Sequence, residues 1–257
     1  MEYQEEYNGS SCPTKIYFAA DVHLGLGAGT NATERENAFV NWLDKIKTDA
    51  EIIFLLGDIF DFWFEYKYVV PRGFTRVLGK LAELTDSGIV VHFFTGNHDM
   101  WTFDYLENET GIKVHKKPYV TTLYGKKFFV AHGDGLGKDS KGYIFLKYIF
   151  SCKLIQWIFA FLHPRIGIGI AKAWSKRSRL NRGLSENFNE NNDRLLAFAK
   201  QKLNETHIDF FVFGHRHTPI QIQLQDDSLF TIVGEWIRGR EYAVFDKKEL
   251  TMHKHKF

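Results

Sequence analysis

Five short apolar runs constrain this chain more than anything else in it: KIYFAA, EIIFLL, IVVHFFT, KKFFVA and IDFFVF. Each has the length of a buried strand. Their continuous apolarity, rich in β-branched and aromatic residues, is the pattern of sheets covered on both faces. Helical patterns (ENAFVNWLDKIK, RVLGKLAEL) separate the first three and give a β-α-β-α rhythm. The C-terminal part (IQIQL, LFTIVGEW, EYAVFDKKELTMHK) reads as short antiparallel strands joined by turns. Together these predict an α/β sandwich of two β-sheets flanked by helices. Residues 138 to about 190 interrupt the rhythm with basic, aromatic, helical sequence and read as a lid inserted into a domain spanning 14–257. Residues 1–13 read as a flexible tail, acidic and polar, without the apolar stretch of a secretory signal.

Each of the five runs leads directly into a polar cluster. The first ends in Asp21-Val22-His23 and the second in Gly57-Asp58-Ile59-Phe60-Asp61. The others lead to Gly96-Asn97-His98-Asp99, His132-Gly133-Asp134 and Gly214-His215-Arg216-His217. Loops at the carboxyl ends of strands converge in open α/β sheets, and ligands bind there. Taken singly, Asn97 is a turn residue, Gly96 and Gly214 are turn glycines, and each paired histidine is an ordinary surface pair. Five such clusters, each after a strand, point instead to one shared site.

The residue types restrict the chemistry. Neutral imidazoles with carboxylate and amide oxygens suit Mn²⁺, with Zn²⁺ or Fe as alternatives, and no thiolate is placed to favour a soft structural site. A carboxylate can bridge two cations. Two such cations clamp a phosphoryl group and generate a hydroxide nucleophile, the arrangement for in-line attack on phosphorus. The two cysteines, Cys12 and Cys152, give no disulfide framework, which suits a reducing cytosol.

The ordered set DxH, GDxxD, GNHD, HGD and GHxH covers nearly the whole chain and resembles the calcineurin-like metallophosphoesterases. That resemblance implies a first metal held by Asp21, His23, Asp58 and His217. It implies a second held by Asp58, Asn97, His132 and His215, with Asp58 bridging. The catalytic histidine of the family falls at His98, with Asp99 as its orienting partner. A histidine there can donate a proton to the leaving oxygen or stabilise charge as imidazolium. Asp61 and Asp134 read as groups that orient ligands.

A closer resemblance is to the UDP-2,3-diacylglucosamine diphosphatases of lipid A biosynthesis in Gram-negative bacteria. It rests on GDIFDFW, HGDGLGKDSKGYIFLK, IVGEWIRGREYAVFD and the insertion after HGD. It implies hydrolysis at the α-phosphate of a UDP-sugar, releasing UMP and 2,3-diacylglucosamine 1-phosphate. Tyr143, eleven positions after His132, matches a tyrosine of that subfamily. The enterobacterial members carry Arg where this chain has His98.

The lid fits such a substrate. From Lys138 to Arg182 there are ten Lys or Arg and one acid, Asp139; that stretch carries +9 in a chain of net charge +2. An anionic ligand or membrane surface is the expected partner. Phe145, Tyr148, Phe150, Trp157, Phe159 and Phe161 fall in one apolar stretch, Ile144 to Leu162. Trp157 and Phe161 are candidates to hold acyl chains. Lys172, Lys176, Arg177, Arg179 and Arg182 are candidates to meet phosphates or anionic headgroups. Charges within Ile144 to Leu162 argue against a transmembrane span, so the chain reads as cytoplasmic and peripheral to the inner membrane. The 24 Phe are read evenly as core or as lipid-facing surface. His253 and His255 read as solvent-exposed. A soluble phosphoesterase for nucleotides or phosphoproteins is the alternative function, and a metal-free scaffold a remoter one. Nucleic acid is disfavoured because a phosphate-tracking groove does not call for so many apolar residues beside its charge.

Overall fold

The computed structural model describes residues 14–26, 31–137, 141–171, 173, 188–190, 192–225 and 227–256. The expected tail, 1–13, and Lys172, Lys176, Arg177, Arg179 and Arg182 lie outside these residues. The five apolar runs form β1 (Lys15–Ala19), β2 (Ala50–Leu55), β3 (Val90–Phe94), β6 (Lys126–Ala131) and β7 (Phe210–Phe213). Between the first three lie α1 (Ala32–Ile46) and α2 (Thr75–Asp86). Asn31 opens α1, accepting from the N–H groups of Thr33 and Glu34.

Two elements gave no clear sequence signal. β4 (Lys113–His115) has only three residues, and β5 (Tyr119–Leu123) mixes Thr with apolar positions. A short helix, α3 (Tyr105–Thr110), precedes them. The C-terminal strands are β8 (Ile220–Gln223), β9 (Leu229–Ile232), β10 (Glu241–Phe245) and β11 (Leu250–Lys254). They are not uniformly antiparallel as the sequence predicts. β9 pairs antiparallel with β8 but parallel with β7, because β9 enters the sheet beside the buried run Phe210–Phe213.

One sheet has the order β11-β10-β1-β2-β3-β4, the other β5-β6-β7-β9-β8. Alternation along β1 divides its residues between two cores. Ile16 and Phe18 join Phe54, Phe128, Val130 and Val212 between the sheets. Tyr17 and Ala19 face Phe39, Trp42 and Leu81 of α1 and α2. On the far side of the second sheet, α6 (Arg194–Leu203) covers Phe211 and Phe213 with Leu195, Leu196 and Ala199. Four layers result, helices outside and sheets inside, and both sheets present their parallel-strand ends at one edge.

Most of the Phe content is core. Phe18 stacks on Phe54 (centroids 5.0 Å) and on Phe128 of the opposite sheet (6.0 Å), whereas Phe145 and Phe161 are exposed. His255 corrects the expectation of exposure: it is buried, stacked on Trp236 at 5.9 Å.

The lid is not one helix. It contains α4 (Lys141–Ser151) and α5 (Lys153–Ala160), with a bend of 62° between them, and residues 164–171 are again helical. Cys152 adopts an extended conformation at the break.

Because Phe18 joins the two sheets, Phe18→Ala should lower stability by about 3–5 kcal/mol. Urea unfolding followed by tryptophan fluorescence measures it, and a loss below about 1 kcal/mol would mean that this stack does not hold the sheets together.

Candidate metal centre and cleft

The carboxyl ends of β1, β2, β6 and β7 bring six of the seven expected ligand residues into two groups, and Asn97 follows β3. Asp21, His23 and His217 offer ligand atoms within 4.8 Å of one another, and so do Asp58, His132 and His215. In the first group His217 Nε2 lies 3.2 Å from Asp21 Oδ1 and 3.2 Å from His23 Nε2. Asp58 stands between the groups, its Oδ2 being 3.9 Å from His23 Nε2 and 3.5 Å from His132 Nε2. Its other oxygen, Oδ1, accepts from the N–H of His98 at 2.8 Å. One oxygen of Asp58 therefore faces both groups while the second is held by backbone.

This arrangement is bought with backbone strain. Asp21, His23, Asp58, His215 and His217 all have positive φ, between 50° and 70°. That conformation costs a side-chain-bearing residue about 1–3 kcal/mol each, and persists where the surroundings over-determine it. Gly96 is needed for space and not for turn freedom, since a Cβ there would come 2.3 Å from Asp58 Oδ1.

The surrounding contacts set the ring orientations. His132 Nδ1–H donates to the Leu56 carbonyl at 2.6 Å, which turns Nε2 inward toward Asp58. His23 Nδ1 lies 3.3 Å from Asp61 Oδ1, a contact that fixes the plane of the His23 ring. Asp134 does something else: its carboxylate accepts from Tyr143 Oη at 3.1 Å and from Lys147 Nζ at 2.6 Å, tying the lid to the HGD loop. Asp99 also differs from expectation. It accepts from the backbone N–H groups of Gly96, Ile59, Asp58 and Phe60, at 2.7 to 3.3 Å. It therefore orients loops, and His98 instead donates from Nδ1 to the Asp61 carbonyl at 2.9 Å.

Two supports escaped the sequence reading. Arg35, buried on α1, donates from Nη2 to the carbonyls of His23 and Leu26. Arg216, between His215 and His217, pairs at 2.9 Å with fully buried Asp193, which also accepts from the first N–H groups of α6. Neither lies in an apolar run or a recognisable ligand spacing, so only the folded arrangement reveals them.

Several buried polar atoms on these residues make no hydrogen bond: Asp21 Oδ1, Asn97 Oδ1 and His132 Nε2. Burying such atoms unpaired is costly, and cation coordination satisfies all three. The donor set of imidazole nitrogens with carboxylate and amide oxygens fits divalent transition metals. Desolvation pulls the buried His23 down to about 4, against Asp61 and Asp58. Burial likewise holds His215 well below the usual imidazole value. His132 goes the other way: burial would lower it, but Asp58, Asp21 and Asp134 push it up to about 10. Burial and the Asp58 charge push Asp99 up to about 7, while its N–H donors oppose the rise.

Beside the metal groups lies a cavity of about 330 Å³. Asp61, Asn97, His98 and Asp134 line its polar end. Tyr143 and Lys147 of α4 line it beside Asp134, and Leu146 and Phe150 of α4 with Ile155 and Phe159 of α5 supply apolar walls. Trp157 and Phe161 do not line it. Both are largely exposed, and they form their own edge-to-face pair at 4.5 Å. Helical phase is the reason, because Ile155 and Phe159 share the inner face at i, i+4 and Trp157 lies on the opposite one. Trp101 fixes the lid over the cavity, donating from Nε1 to the Phe150 carbonyl at 2.8 Å.

A sequence profile described as calcineurin-like phosphoesterase matches residues 14–219. A UDP-2,3-diacylglucosamine hydrolase of Porphyromonas gingivalis is 40% identical over 253 residues, covering 93% of this chain and 97% of that protein. A hydrolase of the same name from Histophilus somni is 28% identical over 229 residues, covering 86% of this chain and 92% of that one.

Metal binding needs the neutral imidazole of His132, whereas the carboxylates of Asp58, Asp21 and Asp134 favour its protonated form in the metal-free site. Metal uptake at neutral pH should therefore release a proton, and affinity should fall as pH falls, by about tenfold per unit for one proton displaced. Calorimetry in buffers of different ionisation enthalpy reads the release. Uptake with no proton released between pH 7 and 9 would contradict this charge assignment.

Proposed function

Because the chain belongs to the calcineurin-like phosphoesterase family, we propose that it hydrolyses UDP-2,3-diacylglucosamine to UMP and 2,3-diacylglucosamine 1-phosphate. The observation that carries this reading is the cavity, whose lining combines Asn97 and His98, beside the metal-ligand groups, with the apolar inner residues of the lid. A small polar phosphoester has no use for such walls, whereas acyl chains need them. The relatives named as UDP-2,3-diacylglucosamine hydrolases support it along nearly their whole length.

Asp21, His23, Asp58 and His217 would hold one cation, and Asp58, Asn97, His132 and His215 the other, with Asp58 common to both. Two divalent cations, Mn²⁺ being the best fit to this donor set, would neutralise phosphoryl oxygens and supply hydroxide at neutral pH. His98, fixed through Nδ1 on the Asp61 carbonyl, keeps Nε2 for a proton or hydrogen bond to the leaving phosphate oxygen. Asp99 acts at one remove, holding the loops that carry Asp58, Asn97 and His98. Tyr143 and Lys147 border the cavity and are placed to contact the sugar phosphate. Lys176, Arg177 and Arg179 are assigned to phosphates or headgroups on their charge alone.

Trp157 and Phe161 face the membrane rather than the acyl chains. They are exposed, as are Phe145 and Tyr148 of α4 and Leu154 and Ile158 of α5. Among the described residues no single helix is long and apolar enough to cross a membrane. The bent pair instead suits an interfacial position at the cytoplasmic face of the inner membrane.

Incubating the protein and Mn²⁺ with UDP-2,3-diacylglucosamine should yield UMP, with turnover lost in Asp58→Ala. Absence of UMP across Mn²⁺, Zn²⁺ and Fe²⁺, with bis-(p-nitrophenyl) phosphate still cleaved, would overturn the substrate assignment while leaving the reaction class.

A further inference from the structure

Among the described residues, the exposed large hydrophobic side chains fall in only two stretches of chain. One is the lid, from Ile144 to Ile170. The other is a loop after the GDIFDFW segment, where Tyr68 is 85% exposed and Val69 49%. A soluble surface scatters such residues singly, and clusters of them mark interaction sites.

The two stretches adjoin. Phe64 packs on Phe159 of α5 with ring centroids 4.8 Å apart. The hydroxyl of Tyr66 is buried so closely under the lid that a Cβ on Gly167 would lie 2.6 Å from it. Tyr68 follows two residues later, within about 7 Å of extended chain. The loop is built to present its tip. The N–H of Tyr66 donates to the carbonyl of Val69 at 3.1 Å, closing a turn with Lys67 and Tyr68 at its apex. Beyond the turn, Pro71 and Phe74 are buried and Val70 packs on the core, so the exposed tip is anchored from both sides.

Its charge matches that of the lid. Residues 66–76 contain Lys67, Arg72 and Arg76 and no acid, and residues 141–173 contain none either. Lys67 Nζ sits 5.1 Å over the Tyr68 ring, which leaves an aromatic ring and a cation side by side at the tip. Aromatic rings with a polar edge, flanked by lysine and arginine, are the groups that settle at the headgroup level of a bilayer.

We propose that residues 67–72 are a second membrane-docking element, which binds an anionic phospholipid surface together with the outer face of the lid. The inference rests on the membrane-facing role given to the lid above. Two points of attachment on either side of Phe159 fix how the protein sits.

Flotation of the full chain with phosphatidylglycerol–phosphatidylethanolamine vesicles, against phosphatidylcholine vesicles, tests this. The variants are Tyr68→Ser/Val69→Ser, Lys67→Glu/Arg72→Glu and, in the lid, Trp157→Ser/Phe161→Ser. Both loop variants should lose anionic-vesicle binding by roughly fivefold or more, with an unchanged circular dichroism spectrum and unchanged cleavage of soluble bis-(p-nitrophenyl) phosphate. If the loop variants float like the parent and only the lid variant is lost, the loop has no such role and the lid reading stands. If the parent binds neither vesicle, both readings fall. A parent that sediments as a dimer, with the Tyr68→Ser/Val69→Ser protein a monomer, would make this face an interface between copies and overturn the proposal.

Discussion

The buried carboxylate of Asp99 is the contact on which the site depends. It accepts from N–H groups on two loops, Asp58, Ile59 and Phe60 after β2 and Gly96 after β3. Four hydrogen bonds converging on one buried carboxyl tie the two loops together and hold Asp58 in its strained, positive-φ conformation. With those loops locked together, Asp58 Oδ1 meets the His98 N–H and Oδ2 is left facing the histidines. Other struts work alike. Arg35 holds the loop of His23, and the Asp193–Arg216 pair holds that of His215 and His217. Rigid backbone at every strand end is what lets unpaired buried oxygens and nitrogens persist until a cation satisfies them.

Much of this was legible in the sequence, for a physical reason. Strands buried on both faces must be continuously apolar, so β1, β2, β3, β6 and β7 announce themselves, and a ligand cluster directly after each is conspicuous. What was hidden depended on the direction of a side chain. Asp99 follows His98 in sequence, yet its side chain turns back to the backbone and Asp61 takes the histidine. Trp157 lies among lining residues in sequence, but the helical phase of α5 sends it outward while Phe159 goes in. β4 and β5 were too short or too mixed to show a period. His255 looked terminal and polar, but β11 carries it against Trp236.

Reaction type and substrate rest on different parts of the molecule. The strand ends supply the donor set for phosphoester hydrolysis. The lid supplies the walls, and it is attached at Asp134 through Tyr143 and Lys147 and at Trp101 through the Phe150 carbonyl. Both attachments lie within a few residues of proposed ligands, so movement of the lid and the geometry of the HGD and GNHD loops are coupled. The bend at Cys152 gives the lid one face for the cavity and another for its surroundings.

Anomalous diffraction from crystals grown with Mn²⁺ tests the central claim most directly. Two peaks should appear about 3.5–4 Å apart, with Asp58 Oδ2 between them, His23 and His217 on one, and His132, His215 and Asn97 on the other. A single peak, or peaks away from Asp58, would contradict a shared two-metal centre.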